Sequence, residues 1–142
     1  MHGKAECSAD ASSSPHALHQ EGTMARKDIL GRAGESLAVE YLRREGFTII
    51  ERNWRCSSGE IDIVARDGAT TVFIEVKTRS SLVTGHPFEA LNRSKLARMR
   101  RLAGLWCDGH PTVRGDIRLD AIAVLSPAFD APSIEHLRMV DA

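Results

Sequence analysis

Residues 59–79 alternate as a β-hairpin does, and they carry acids inside otherwise apolar strands. Residues 60–66 and 71–79 read as strands, joined by the loop Asp67-Gly68-Ala69-Thr70. Side chains alternate across a strand. In the later strand Val72, Ile74 and Val76 therefore share one face, and Phe73, Glu75, Lys77 and Arg79 the other. In the earlier strand Ile61, Ile63 and Ala65 share a face, with Glu60, Asp62 and Val64 opposite. A loop at 67–70 pairs Arg66 with Thr71, and a turn at Gly68-Ala69 gives the same register. Asp62 then lies directly across from Glu75, and Glu60 across from Lys77. A turn at Asp67-Gly68 instead shifts the carboxylates one pair apart on the same face.

Like charges directly opposite each other destabilise a sheet unless something compensates them. Hard carboxylate oxygens suit Mg²⁺, with Mn²⁺ as an alternative. Asp62 and Glu75 are thus candidate metal ligands, with the Val76 carbonyl as a third oxygen. Lys77 points the same way as Glu75 and can orient a water or stabilise phosphate charge. The same residues also fit a solvent-facing ion-pair pattern, Glu60 with Lys77 and Asp62 with an arginine. On the hairpin alone both readings stand.

Residues 1–27 show no hydrophobic period and read as a disordered tail, in which Met24 is an alternative start. Residues 28–142 read as one domain. Asp28 is the expected N-cap of a first helix that ends near Glu45, with Gly46 beyond it. Winding that helix from Ala33 puts Leu42 at about 180° and Glu35 at about 200°, on the flank of the apolar face. Residues 47–54 read as a strand and 88–107 as a second helix. Residues 117–125 and 133–139 read as two further strands, the last at a sheet edge. The order α-β-β-β-α-β-β predicts an α/β fold with a mixed central sheet flanked by helices.

Net charge is zero, with 19 basic and 19 acidic residues, so no global field favours nucleic acid. The local distribution differs: residues 76–118 hold nine Lys/Arg against three acids. Basic surface beside carboxylates suits a phosphodiester substrate that needs a metal. On the second helix Lys95 falls at about 40° from Leu91, inside the apolar arc, from where its stem can snorkel and carry the ammonium to the site or to a phosphate. Arg79, Arg98 and Arg101 are further candidates for phosphate contacts. Asp120, in an apolar strand, needs a partner, Arg118, Arg79 or a backbone donor, and reads as structural or as a support behind the site, not as a metal ligand. His136 reads as a hydrogen-bonded edge residue, and Trp54 and Trp106 as core. Three unpatterned cysteines argue against a disulfide framework or a zinc site, and no apolar run has the length of a membrane span. The cytoplasm is the expected compartment.

Gly59-Glu60-Ile61-Asp62-Ile63-Val64 followed by Phe73-Ile74-Glu75-Val76-Lys77 resembles the core of the restriction-endonuclease-like PD-(D/E)XK superfamily. More closely, the chain resembles the bacterial YraN-like family, related to archaeal Holliday-junction resolvases. That resemblance runs from Gly31 to the C-terminus. It includes Gly31-Arg32-Ala33-Gly34-Glu35, Arg52-Asn53-Trp54, Gly85-His86-Pro87, Lys95 and Arg118-Leu119-Asp120. It implies a nuclease fold, a first-helix acid at Glu35, and Mg²⁺-dependent hydrolysis of structured or branched DNA. Glu35, Asp62, Glu75 and Lys77 would be the catalytic set, and a homodimer is one expected assembly. The alternative is a nucleic-acid-binding module of the same fold that turns over little or nothing.

Overall fold

A computed structural model describes residues 26–83 and 85–139. The expected tail up to residue 25, including Met24, lies outside the described residues. The elements are α1 (Arg26–Arg44), β1 (Thr48–Cys56), β2 (Gly59–Asp67), β3 (Thr70–Arg79), a 3₁₀ helix (Pro87–Ala90), α2 (Arg93–Asp108), β4 (Ile117–Leu125) and β5 (Ser133–Met139). The five strands form one mixed sheet in the order β1-β2-β3-β4-β5. Only β3 and β4 run parallel, and the chain between them carries α2. The α/β class and the element order agree with the sequence reading and are consistent with a nuclease-like fold. Among the described residues no helix is long and apolar enough to cross a membrane.

Each sheet face builds its own core. One joins Ala38, Val39 and Leu42 of α1 to Ile63, Ala65, Val72, Ile74, Ile122 and Val124. The other joins Met99, Leu102, Ala103 and Trp106 of α2 to Trp54, Ile61, Val64, Phe73 and Leu119. Arg26 and Lys27, expected in the tail, are already helical, so Asp28 lies within the helix and is not its N-cap. The helix ends in a Schellman turn: Phe47 N–H reaches Leu42 O at 2.9 Å and Gly46 N–H reaches Arg43 O at 3.1 Å. Gly46 takes φ 95°, which a residue with a Cβ rarely adopts. The expected second helix is broken. A 3₁₀ turn ends at Ala90, and α2 restarts after Asn92, whose Oδ1 accepts from Lys95 N–H at 2.8 Å.

α1 crosses β3 with no room to spare at Gly34. A Cβ there would sit 2.0 Å from Thr78 Oγ1 and 2.9 Å from Thr78 Cβ. Gly34→Ala is therefore expected to destabilise the domain by about 1–3 kcal/mol through overpacking. Urea denaturation checks this, and a variant as stable as the parent would rule out the close approach.

Candidate active site

The hairpin register runs as expected at its closed end, with Asp67↔Thr70, Arg66↔Thr71 and Ile63↔Ile74 paired across the turn at Gly68-Ala69. Gly68 adopts φ 66° at the first turn position, as a two-residue hairpin turn favours. Pairing stops after Ile63↔Ile74. Asp62 and Glu75 are therefore not a cross-strand pair, and neither are Glu60 and Lys77. The cause lies one strand away. Asn53 has φ 55° and reverses the alternation of β1. Arg52 and Asn53 both face Glu35, whereas Trp54 turns into the α2 core. Ile61, paired with Trp54, follows it onto that face and leaves the face of Ile63 and Ala65. β2 consequently parts from β3 at Asp62.

Asp62 fills the gap with its side chain. Its Oδ2 accepts from Val76 N–H at 2.8 Å, replacing a backbone ladder bond. The N–H and C=O of one strand residue leave on the same side, so the Val76 carbonyl faces this gap too. Burial pushes the Asp62 carboxyl up first, then the charge of Glu75. The Val76 hydrogen bond pulls it down, Glu35 and Glu60 add to the rise, and it comes to about 7. The charges that bear most on Asp62 are those of carboxylates, and among the described residues it forms no ion pair of its own. The ion-pair reading of the hairpin does not hold: Glu60 pairs with Arg55 at 3.0 Å, not with Lys77.

The other two acids are compensated by the protein. Glu75 Oε2 lies 3.1 Å from Lys95 Nζ and 3.5 Å from Lys77 Nζ. Lys95 thus reaches the acidic cluster from the first turn of α2. Glu35 is buried, and its Oε1 accepts from Arg52 Nη2 at 3.2 Å and Asn53 Nδ2 at 3.1 Å. The buried arc of α1 contains Gly34, Glu35, Ala38, Val39 and Leu42, while Ala33 is exposed. Glu35 therefore sits within that arc, where the helical winding put it on the flank.

Among the described residues no three acidic, His or Cys side chains gather closely enough to hold one ion. The expected set of Glu35, Asp62 and Glu75 is thus drawn together electrostatically but not as a preformed side-chain cage. What fits a cation is Asp62 with Glu75 and the Val76 carbonyl. This is a hard-oxygen donor set whose central carboxylate has no ion-pair partner among the described residues, and Mg²⁺ keeps several waters and needs few protein ligands.

Arg98 and Arg101 line an open groove with Ala90, Asn92, Ser94 and Lys95. Arg79 stands apart from it at the end of β3, donating to Thr78 O at 3.3 Å. His86 caps the 3₁₀ helix through Nδ1, which accepts from Phe88 N–H, and its Nε2 contacts Glu135. The contacts of Arg52 and Asn53 with Glu35 were not anticipated from the sequence. The Arg52-Asn53-Trp54 string was their only signal, since a left-handed asparagine inside a strand is not legible from alternation.

Asp120 is fully buried on the α1 face. It accepts from Arg118 Nε at 2.8 Å, Arg118 Nη2 at 3.0 Å and His136 Nε2 at 2.7 Å. On the other side of the ring, His136 Nδ1 and the Tyr41 hydroxyl are hydrogen-bonded at 2.9 Å. Both residues are structural, as their sequence setting implied, and Arg118 rather than Arg79 is the arginine.

A family model described as "Uncharacterised protein family UPF0102" matches residues 34–124. A UPF0102 protein of Arthrobacter sp. (strain FB24) is 55% identical over 117 residues, which is 82% of this chain and 99% of that one. One from Beutenbergia cavernae is 53% identical over 117 residues, 82% of this chain and 99% of its own. One from Clavibacter michiganensis is 51% identical over 115 residues, 81% and 98% of the two chains. The family match takes in Glu35, the acidic hairpin and α2, and the chain belongs to UPF0102, the YraN-like family, with which the restriction-endonuclease-like placement is consistent.

Proposed function

We propose that this protein is a metal-dependent endonuclease that hydrolyses phosphodiester bonds in structured or branched DNA. The observation that carries this reading is Asp62. It is a carboxylate placed where the sheet opens, with acids as its main charged neighbours and no ion pair among the described residues. A structural acid of a binding module would be expected to have a partner, as Asp120 does, which favours the nuclease over the non-catalytic alternative.

Asp62, Glu75 and the Val76 carbonyl would hold the ion. Bound there, Mg²⁺ or Mn²⁺ supplies Lewis acidity toward the phosphate and lowers the pKa of a coordinated water. Lys77 keeps its ammonium beside Glu75, where it can orient the attacking water and balance charge growing on the phosphate. Glu35, held in place by Arg52 and Asn53, would be the third acid of the site. Lys95, Arg98 and Arg101 can hold backbone phosphates without reading sequence.

The test is a panel of labelled DNA duplexes, flaps, nicks and four-way junctions, incubated with Mg²⁺ or Mn²⁺. Cleavage by the wild type and its loss in Lys77→Ala, by roughly 10²-fold or more, is the expected outcome. Circular dichroism should show Lys77→Ala folded, because Lys77 is partly exposed and Glu75 keeps Lys95. Equal cleavage by wild type and Lys77→Ala would remove the mechanism.

A further inference from the structure

We propose that Lys95 is a positioning residue that couples cation binding at Glu75 to the seating of a DNA phosphate in the groove beside α2. This rests on the nuclease reading above. Two ammonium groups share one oxygen, Glu75 Oε2, but they differ in origin. Lys77 lies two residues along the same strand as Glu75, so its position follows that of Glu75. Lys95 arrives from α2, whose start is pinned by the Asn92 cap.

Lys95 also lines the groove with Ala90, Asn92, Ser94, Arg98 and Arg101. No acid lines this groove, and Arg98 and Arg101 are exposed. Among the described residues, Lys95 is the one lining residue that also touches the acidic cluster. Its ammonium therefore stands at the boundary between a carboxylate that must accept a cation and a basic wall suited to phosphate. The lysine stem is flexible and its head is a compact point charge, so it can turn from one anion to the other.

The consequence is an exchange. While Lys95 sits on Glu75, it competes with an incoming cation for Oε2. A phosphate in the groove draws the ammonium away and frees that oxygen. Conversely, a cation on Glu75 releases Lys95 to the phosphate. Linkage requires the two effects to be equal in size. DNA should thus tighten the metal, and the metal should tighten DNA, through one side chain.

The experiment is calorimetric titration of Mg²⁺ into the full chain, alone and with a short phosphorothioate oligonucleotide, which keeps the backbone charge and resists hydrolysis. In the wild type the oligonucleotide is expected to tighten Mg²⁺ by at least about 5-fold. In Lys95→Gln, Mg²⁺ alone should bind more tightly than in the wild type, and the oligonucleotide should change its affinity by less than about 2-fold. Lys95→Arg, which retains the cation, should restore the coupling, and thermal melting should show both variants folded. Coupling unchanged in Lys95→Gln, or Mg²⁺ bound more weakly by that variant, overturns the role of Lys95 and leaves the nuclease reading standing. A wild type that binds no Mg²⁺ overturns both.

Discussion

Asp62→Asn is expected to abolish Mg²⁺-dependent cleavage and, in metal-free buffer at pH 8, to stabilise the protein by roughly 2–4 kcal/mol. The two effects have one cause. Burial and the charges of Glu75, Glu35 and Glu60 raise the Asp62 carboxyl from 3.8 to about 7, against the opposing Val76 hydrogen bond. The folded protein therefore binds a proton that the unfolded chain has already lost. Between these values stability falls as pH rises, and above about 7 the full penalty is present. Asparagine is nearly isosteric, can still accept from Val76 N–H, and never ionises. Denaturation curves at pH 4 and pH 8 should show the two proteins alike in acid and separated at alkaline pH. Adding Mg²⁺ should narrow the gap at pH 8, because the ion stabilises the wild type alone. A variant less stable than the parent at pH 8 would mean that the native fold already compensates Asp62, and the metal reading would lose its main support.

The strands β4 and β5 and the closed end of the hairpin were legible because the apolar run of β4, buried from Leu119 to Val124, the alternation of Ile134 and His136 in β5 and the turn at Gly68-Ala69 are all local signals. The α1 stop was legible for the same reason, in Gly46 followed by Phe47. The open end of the hairpin was not legible. The register that pairs Arg66 with Thr71 extends to Asp62 and Glu75 only while both strands stay regular, and that condition ends beside Asn53 of β1. Propensity would never place a left-handed residue inside β1, and tertiary demand for Trp54 in the α2 core decides it. The nearness of Asp62 and Glu75 was nevertheless legible, because both needed only to lie near the same gap, and a broken ladder left them there. Lys95 was legible from its angle on the helix, although the helix start was misplaced. The Asn92 cap shifts the boundary and leaves the winding intact. The groove with Arg98 and Arg101 was only half legible, since charge counts locate a basic segment and not the surface it lines.

Asp120 sets the opposite case in the same sheet. Burial pushes this carboxyl up, yet hydrogen bonds from His136 and Arg118 and their charges outweigh burial and hold it below its ordinary value. Arg118 also donates to Asp67 at 3.2 Å and lies over the Phe47 ring. Asp120→Ala would leave Arg118 and His136 without their shared anion in a site where the His136 side chain is 5% exposed. The expected loss is roughly 3–5 kcal/mol, the scale for breaking a buried charge pair from one side. Urea denaturation at pH 7 measures it. The pH dependence has the reverse sign to that of Asp62. The stabilisation by Asp120 is present above 3.8 and lost as pH falls through its depressed native value. The gap between parent and Asp120→Ala should therefore stay constant across neutral pH and close only in acid, whereas the gap to Asp62→Asn opens as pH rises. Two aspartates two strands apart in one sheet are thus expected to give mutational effects of opposite sign. The difference is whether the protein supplies the countercharge itself, as at Asp120, or leaves that charge to an ion, as proposed at Asp62. Were Asp120→Ala to prove as stable as the parent, burial and pairing would not separate structural from functional acids in this fold, and the assignment of Asp62 would need cleavage data alone.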